Sequence, residues 1–205
     1  MKMNLANKLT IFRIILVPVI MLIPIIDNLV GIPGEFLGIS TAFWIMNIIF
    51  IVASITDKLD GYIARSRNQV TTFGKFLDPL ADKILVLSAL VILVEYGKIP
   101  SWIPIIVLAR EFIVSGYRLI AVENSGKVVA ANIWGKLKTV TQMIAIILMF
   151  LTTQPYFAFA GKVEMNTGDF IINILASILM TISVIATIFS GYEYLKEGKD
   201  LLKDC

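Results

Sequence analysis

Histidine is absent from this chain, and the single cysteine is Cys205. The first absence removes the commonest general base and any histidine-ligated zinc site, so carboxylates must do both jobs if chemistry occurs. The second leaves no partner for an internal disulfide and implies no redox compartment. Charge is scarce as well: 16% of the 205 residues are charged against 58% hydrophobic, and the mean hydropathy is +0.85. A water-soluble domain of this length cannot bury so much apolar surface, so the expected class is an all-α integral membrane protein. There is room for one compact bundle over residues 1–205 and for no second domain. The expected surroundings are a lipid bilayer, not nucleic acid.

Apolar stretches long enough to cross a bilayer occur about six times, over 8–27, 37–66, 74–96, 101–123, 131–153 and 169–195. The expected fold is therefore a bundle of six transmembrane helices. Turn residues punctuate it at Gly31-Ile32-Pro33-Gly34, at 97–100, at Asn124-Ser125-Gly126 and in the mixed stretch 152–168. Lysines 2 and 8 before the first apolar run suggest a signal peptide. Arg13 interrupts that run, however, and no small-residue cleavage site follows before Asp27, so the segment reads as a retained first helix. With both termini in the cytoplasm, most lysines and arginines fall on the inner side and only Lys98 and Lys162 stay in outer loops. That asymmetry follows the positive-inside rule and predicts a multi-pass protein of the cytoplasmic membrane whose polar site faces inward.

Four acids stand in this apolar background: Asp57-x-x-Asp60-Gly61-x-x-Ala64-Arg65, eight residues, then Gly74-x-x-x-Asp78-x-x-x-Asp82. An ionised carboxylate in a membrane helix costs a few kcal/mol or more, so such groups pair, bind cations or line a polar cavity. Residues three or four apart share a helix face, so Asp57 and Asp60 project together, as do Asp78 and Asp82. A short connection makes the two helices antiparallel neighbours and lets the pairs converge. Four carboxylates without cysteine or histidine are hard oxygen ligands that favour Mg²⁺, with Mn²⁺ as the alternative. Two such ions roughly 3.5–4 Å apart can clamp a phosphoryl group during in-line displacement. Gly61 and Gly74 permit close approach of a bulky ligand, and Arg65 is placed to meet a phosphate. Taken singly, each acid would suit ion transport or helix pairing, each glycine close packing, and Arg65 an interfacial anchor. The joint spacing is far more specific.

The pattern resembles the signature of the CDP-alcohol phosphatidyltransferases, D-x-x-D-G-x-x-A-R-x8-G-x-x-x-D-x-x-x-D, and matches every specified position. The resemblance implies a six-helix membrane enzyme, usually a homodimer, that moves a phosphatidyl or similar group from a CDP-linked donor to an alcohol. It implies that Asp57, Asp60 and Asp78 hold metal, and that Asp82 is both a ligand and the general base. Gly61, Arg65 and Thr71 fall where family members contact the CDP moiety. Asn7 and Thr10 are similar to the family's N-x-x-T element, whose polar groups meet the nucleotide diphosphate.

The acceptor must be read outside this motif. Arg110-Glu111 lies within an apolar run, with Arg118 two turns further, and Lys136 and Lys138 open the next span. Arg110 is set too deep for an interfacial anchor and needs an anion, whether Glu111, an active-site aspartate or a bound phosphate. Arg110, Arg118, Lys136 and Lys138 together would make an anion pocket suited to an acceptor that carries its own phosphate. Lys136 or Lys138 alone would read as a positive-inside contact, and Lys83 as a snorkelling lysine as readily as a site residue. The stretches 108–112 and 135–139 resemble the branch of the family that uses glycerol 3-phosphate with CDP-diacylglycerol. The alternatives are a sister enzyme acting on inositol phosphate, or on phosphatidylglycerol to give cardiolipin. A divalent-cation transporter is the rival from another class.

Overall fold

The computed structural model describes residues 5–66, 72–125, 133–161 and 165–197, and their side chains except at 5–7, 58–66, 72–76, 119–125 and 197. Six α-helices account for nearly all of this: α1 (Leu5–Val30), α2 (Thr41–Ser66), α3 (Thr72–Glu95), α4 (Trp102–Ser125), α5 (Ile133–Leu151) and α6 (Thr167–Glu197). Three of them are long and apolar enough to cross a membrane, over Lys8–Val30, Ile133–Leu151 and Thr167–Lys196, and α2 carries a shorter apolar stretch, Thr41–Asp57. α3 and α4 have comparable lengths, but Asp78, Asp82 and Lys83 interrupt one, and Arg110, Glu111 and Arg118 the other. These polar interruptions on α3 and α4 belong to the candidate site.

Burial follows the 3.6-residue period. On α5 the inward stripe is Lys138, Thr141, Gln142, Ala145, Ile146, Met149 and Phe150, and on α3 it runs through Leu85, Ala89, Leu90 and Leu93. The opposite faces keep isoleucine, leucine and valine exposed, for example Ile84, Val91, Val140 and Ile144. A helix apolar on both sides is what a lipid solvent selects. α6 turns small residues inward, with Ala176, Ser177, Ser183, Ala186, Thr187 and Ser190 buried, and packs most extensively against α5. Small residues allow the close backbone approach on which helix association in lipid depends. α1 packs on α2 and α3, and α4 on α6.

One expected boundary moves. The second apolar stretch begins at 37 in the sequence, yet α2 starts only at Thr41, because residues 35–40 form a two-residue-strand hairpin, β1 (Glu35–Phe36) and β2 (Ile39–Ser40). Leu37 and Gly38 make its turn, both with positive φ (55° and 76°), the conformation that two-residue hairpin turns require. Trp44 Nε1 donates to Phe36 O at 3.0 Å and ties the hairpin to α2.

The described parts of the stretch 152–168, residues 152–161 and 165–168, silent in sequence, cap the end of the bundle where α3 and α5 finish. Asp169 accepts from Thr152 Oγ1 at 2.7 Å and from the Thr153 hydroxyl. Asn173 Nδ2 donates to Pro155 O at 2.9 Å, and Lys98 Nζ to Thr152 O at 2.8 Å.

Candidate functional site

The site lies at the other end, around the first turns of α3. Asp78 and Asp82 share one face of α3 through their four-residue spacing. Two residues of α1, one turn apart, reach the acids of the neighbouring helices. Thr10 Oγ1 donates to Asp78 Oδ1 at 2.6 Å. Arg13, with 0% of its side chain exposed, places Nη1 2.7 Å from Asp57 Oδ1 on α2, and its Nε donates to Ala53 O at 3.3 Å. Asp57, Asp78 and Asp82 therefore belong to one region where α1, α2 and α3 meet.

Asp82 is the acid left to face the interior. Its Oδ1 is buried and has no hydrogen-bond partner among the described residues, an arrangement that favours a ligand or a cation. Together with Asp57 and Asp78 it offers hard oxygen donors that fit Mg²⁺ or Mn²⁺. Among the described residues no group of three such ligands is already drawn together. The side chains of Asp60, Gly61's neighbours and Arg65 on α2, and of Asn7 on α1, lie outside the described residues, as does all of Thr71.

Asp82 opens onto a cavity of about 540 Å³ between α3, α4 and α5. Its polar lining includes Asp82, Lys83, Arg110, Glu111, Arg118 and Lys138. One carboxylate organises the cations: Glu111 lies 2.5 Å from Lys138 Nζ, 3.0 Å from Arg110 Nη1 and 3.5 Å from Lys83 Nζ. Ser115, one turn beyond Glu111, accepts from Lys83 Nζ at 2.5 Å and donates to the Glu111 carbonyl. Arg110 Nη2 donates to Ser190 Oγ at 2.6 Å, and Arg118 Nη2 to Tyr194 OH at 2.9 Å. Four cations thus face two carboxylates in one cavity. The excess positive charge is that of an anion site with low-dielectric walls.

Of the anticipated anion cluster, Arg110, Arg118 and Lys138 converge on this cavity. Lys136, two residues before the buried Lys138, points off the opposite side of α5, is exposed and is not part of the lining. Glu111 takes the role of the anion that Arg110 needs. Lys83 turns inward to Glu111 and Ser115 instead of snorkelling outward. Two further residues escaped the motif. Arg13 was visible only as a charge breaking an apolar run. Gln142, an amide one turn past Lys138 on α5, is 2% exposed on the cavity wall.

The family profile of the CDP-alcohol phosphatidyltransferases matches residues 3–189. A CDP-diacylglycerol–glycerol-3-phosphate 3-phosphatidyltransferase of Bacillus subtilis (strain 168) is 42% identical over 203 residues, covering 98% of this chain and 97% of its own. The protein of that name from Haemophilus influenzae is 36% identical over 208 residues, covering 100% of this chain and 98% of its own. A probable phosphatidylglycerophosphate synthase of Mycobacterium tuberculosis (strain H37Rv) is 33% identical over 192 residues, or 94% of this chain and 80% of its own.

Proposed function

The chain belongs to the CDP-alcohol phosphatidyltransferase family, and from that premise we propose that it transfers the phosphatidyl group of CDP-diacylglycerol to glycerol 3-phosphate. The products are phosphatidylglycerol phosphate and CMP. The observation that carries the acceptor assignment is the cavity shared by Asp82 and the cations Lys83, Arg110, Arg118 and Lys138. A serine or choline acceptor gives no reason for such a pocket beside the acids. An acceptor with its own phosphate does.

In this reading all six helices span the cytoplasmic membrane as a single domain, with both termini and the site on the inner side. The acyl chains of the donor stay in the bilayer while its head lies where α1, α2 and α3 meet. Thr10 and Asn7 on α1, and Gly61, Arg65 and Thr71 around the end of α2, receive the CDP moiety. Asp57, Asp60, Asp78 and Asp82 would hold the divalent ions, two of Mg²⁺ with Mn²⁺ as the alternative, and these would supply the positive charge that a pyrophosphate donor and its leaving CMP call for. Arg13 fixes the rotamer of Asp57, and Thr10 that of Asp78, so the acids are oriented before the donor arrives.

Arg110, Arg118 and Lys138 anchor the acceptor's phosphate, which points its C1 hydroxyl at Asp82. The Asp82 carboxylate takes that proton as the oxygen attacks the β-phosphorus of the donor. The bond from that phosphorus to the oxygen bridging to CMP breaks, and the electron pair leaves with CMP. The proton on Asp82 then passes to water at the inner face. The enzyme acts as a homodimer. Offering purified protein glycerol 3-phosphate, inositol phosphate and serine in competition, and identifying the lipid product by mass, tests the reading. Phosphatidylglycerol phosphate is the expected product; a phosphatidylinositol phosphate or phosphatidylserine product would move the enzyme to a sister branch.

A further inference from the structure

The cavity holds one donor whose chemistry is not that of phosphate binding. Gln142 sits four residues beyond Lys138 on the inward stripe of α5, 2% exposed, and lines the cavity with Asp82 and the cations. Its Nε2 is buried and has no hydrogen-bond partner among the described residues. An unpaired buried amide donor is destabilising, and a site on a cavity wall gives it a ligand to meet. The rise between Lys138 and Gln142 is about 6 Å, comparable to the length of a three-carbon phosphate ester. The cations suit the phosphate at one end of such a molecule, and the Asp82 carboxylate suits the attacking hydroxyl at the other. A middle hydroxyl remains, and it needs a neutral partner.

We propose that Gln142 determines acceptor specificity by donating from Nε2 to the uncharged C2 hydroxyl of a polyol phosphate. The inference rests on the acceptor reading above and adds to it the residue that recognises the part of the molecule which neither ionises nor reacts. A carboxamide suits this task because it offers a donor without adding charge to a site already crowded with cations. A site built to bond a hydroxyl also rejects the analogue that lacks it, since the buried donor is then left unpaired.

The test compares kcat/KM for glycerol 3-phosphate with kcat/KM for 3-hydroxypropyl phosphate, which keeps the phosphate and the attacking hydroxyl but lacks the C2 hydroxyl. The wild-type protein is expected to prefer glycerol 3-phosphate roughly 10- to 100-fold. In Gln142→Met, of similar shape without a donor, the ratio is expected to collapse to about threefold or less. Gln142→Asn, which withdraws the amide by one methylene, reads the same ratio should methionine not be accommodated. Equal use of both acceptors by the wild type overturns the proposal, whatever the variants do. So does a variant that loses activity on both acceptors alike and keeps the wild-type ratio, because a residue that merely packs would behave so. Wild-type protein that uses neither acceptor would instead overturn the glycerol 3-phosphate reading itself.

Discussion

Arg13 Nη1 on α1 lies 2.7 Å from Asp57 Oδ1 on α2, with the arginine wholly buried and the aspartate 31% exposed. One turn earlier on α1, Thr10 holds Asp78 of α3. The first helix therefore fixes two acids that come from two other helices. Arg13→Met removes the charge partner of Asp57 and leaves a partly buried carboxylate unpaired, at a cost of about 1–3 kcal/mol. The expected readouts are a lower melting temperature in detergent and weaker Mg²⁺-dependent donor binding. A variant as stable as the wild type, with unaltered donor binding, would contradict the positioning role.

Asp82 differs from its neighbours in having a buried oxygen without a hydrogen-bond partner among the described residues. Asp82→Asn removes the proposed proton acceptor but keeps the shape, so turnover is expected to fall about 100-fold or more while CDP binding largely survives. Asp57→Asn and Asp78→Asn are expected to weaken metal-dependent binding as well. Calorimetric titration with CDP alongside CMP-release assays separates the two. Wild-type-like turnover by Asp82→Asn would remove the base assignment.

Two lysines of α5 make a matched pair. Lys138 is buried against Glu111, whereas Lys136 is exposed on the other side of the helix. Lys138→Met is expected to raise the KM for glycerol 3-phosphate about tenfold or more, the loss of one charge-assisted contact. Lys136→Met is expected to raise it by less than that. Steady-state kinetics at saturating donor checks the order of the two, and a larger effect at Lys136 would contradict the placement of the pocket.

At the opposite end, Lys98 sits in the loop between α3 and α4. Burial pushes its pKa down from 10.5 to about 8, and the Asp169 carboxylate opposes that shift. Between these values the unfolded chain binds more protons than the folded one, so the contribution of Lys98 to stability rises with pH over that window. Below about 8 the folded protein carries the full cost of the buried charge. Melting temperatures from pH 7 to 10.5 are expected to climb more steeply in the wild type than in Lys98→Met. Parallel curves would show that Lys98 does not titrate in this range.

The acids were legible because their spacing is a property of single helices: Asp78 and Asp82 share a face whatever surrounds them. Arg13 was not, since nothing along α1 says which helix will bring it a carboxylate. The same holds for Glu111, whose neighbour Arg110 was plain in sequence but whose other partners, Lys83 and Lys138, arrive from α3 and α5. The helix count followed from the number and length of the apolar stretches. The hairpin at 35–40 did not, because Phe36, Leu37 and Ile39 merge with the apolar run of α2 and only Gly34 and Gly38 mark the break. Thr152 and Pro155 were silent for a related reason, as their hydrogen bonds run to Asp169 and Asn173 on α6.

The most direct test of the account is CMP release from CDP-diacylglycerol by purified protein in detergent, with Mg²⁺ or EDTA, and with or without glycerol 3-phosphate. The account predicts release that requires both Mg²⁺ and glycerol 3-phosphate. Folded protein that releases no CMP with any acceptor, while proteoliposomes containing it pass divalent cations, would contradict it.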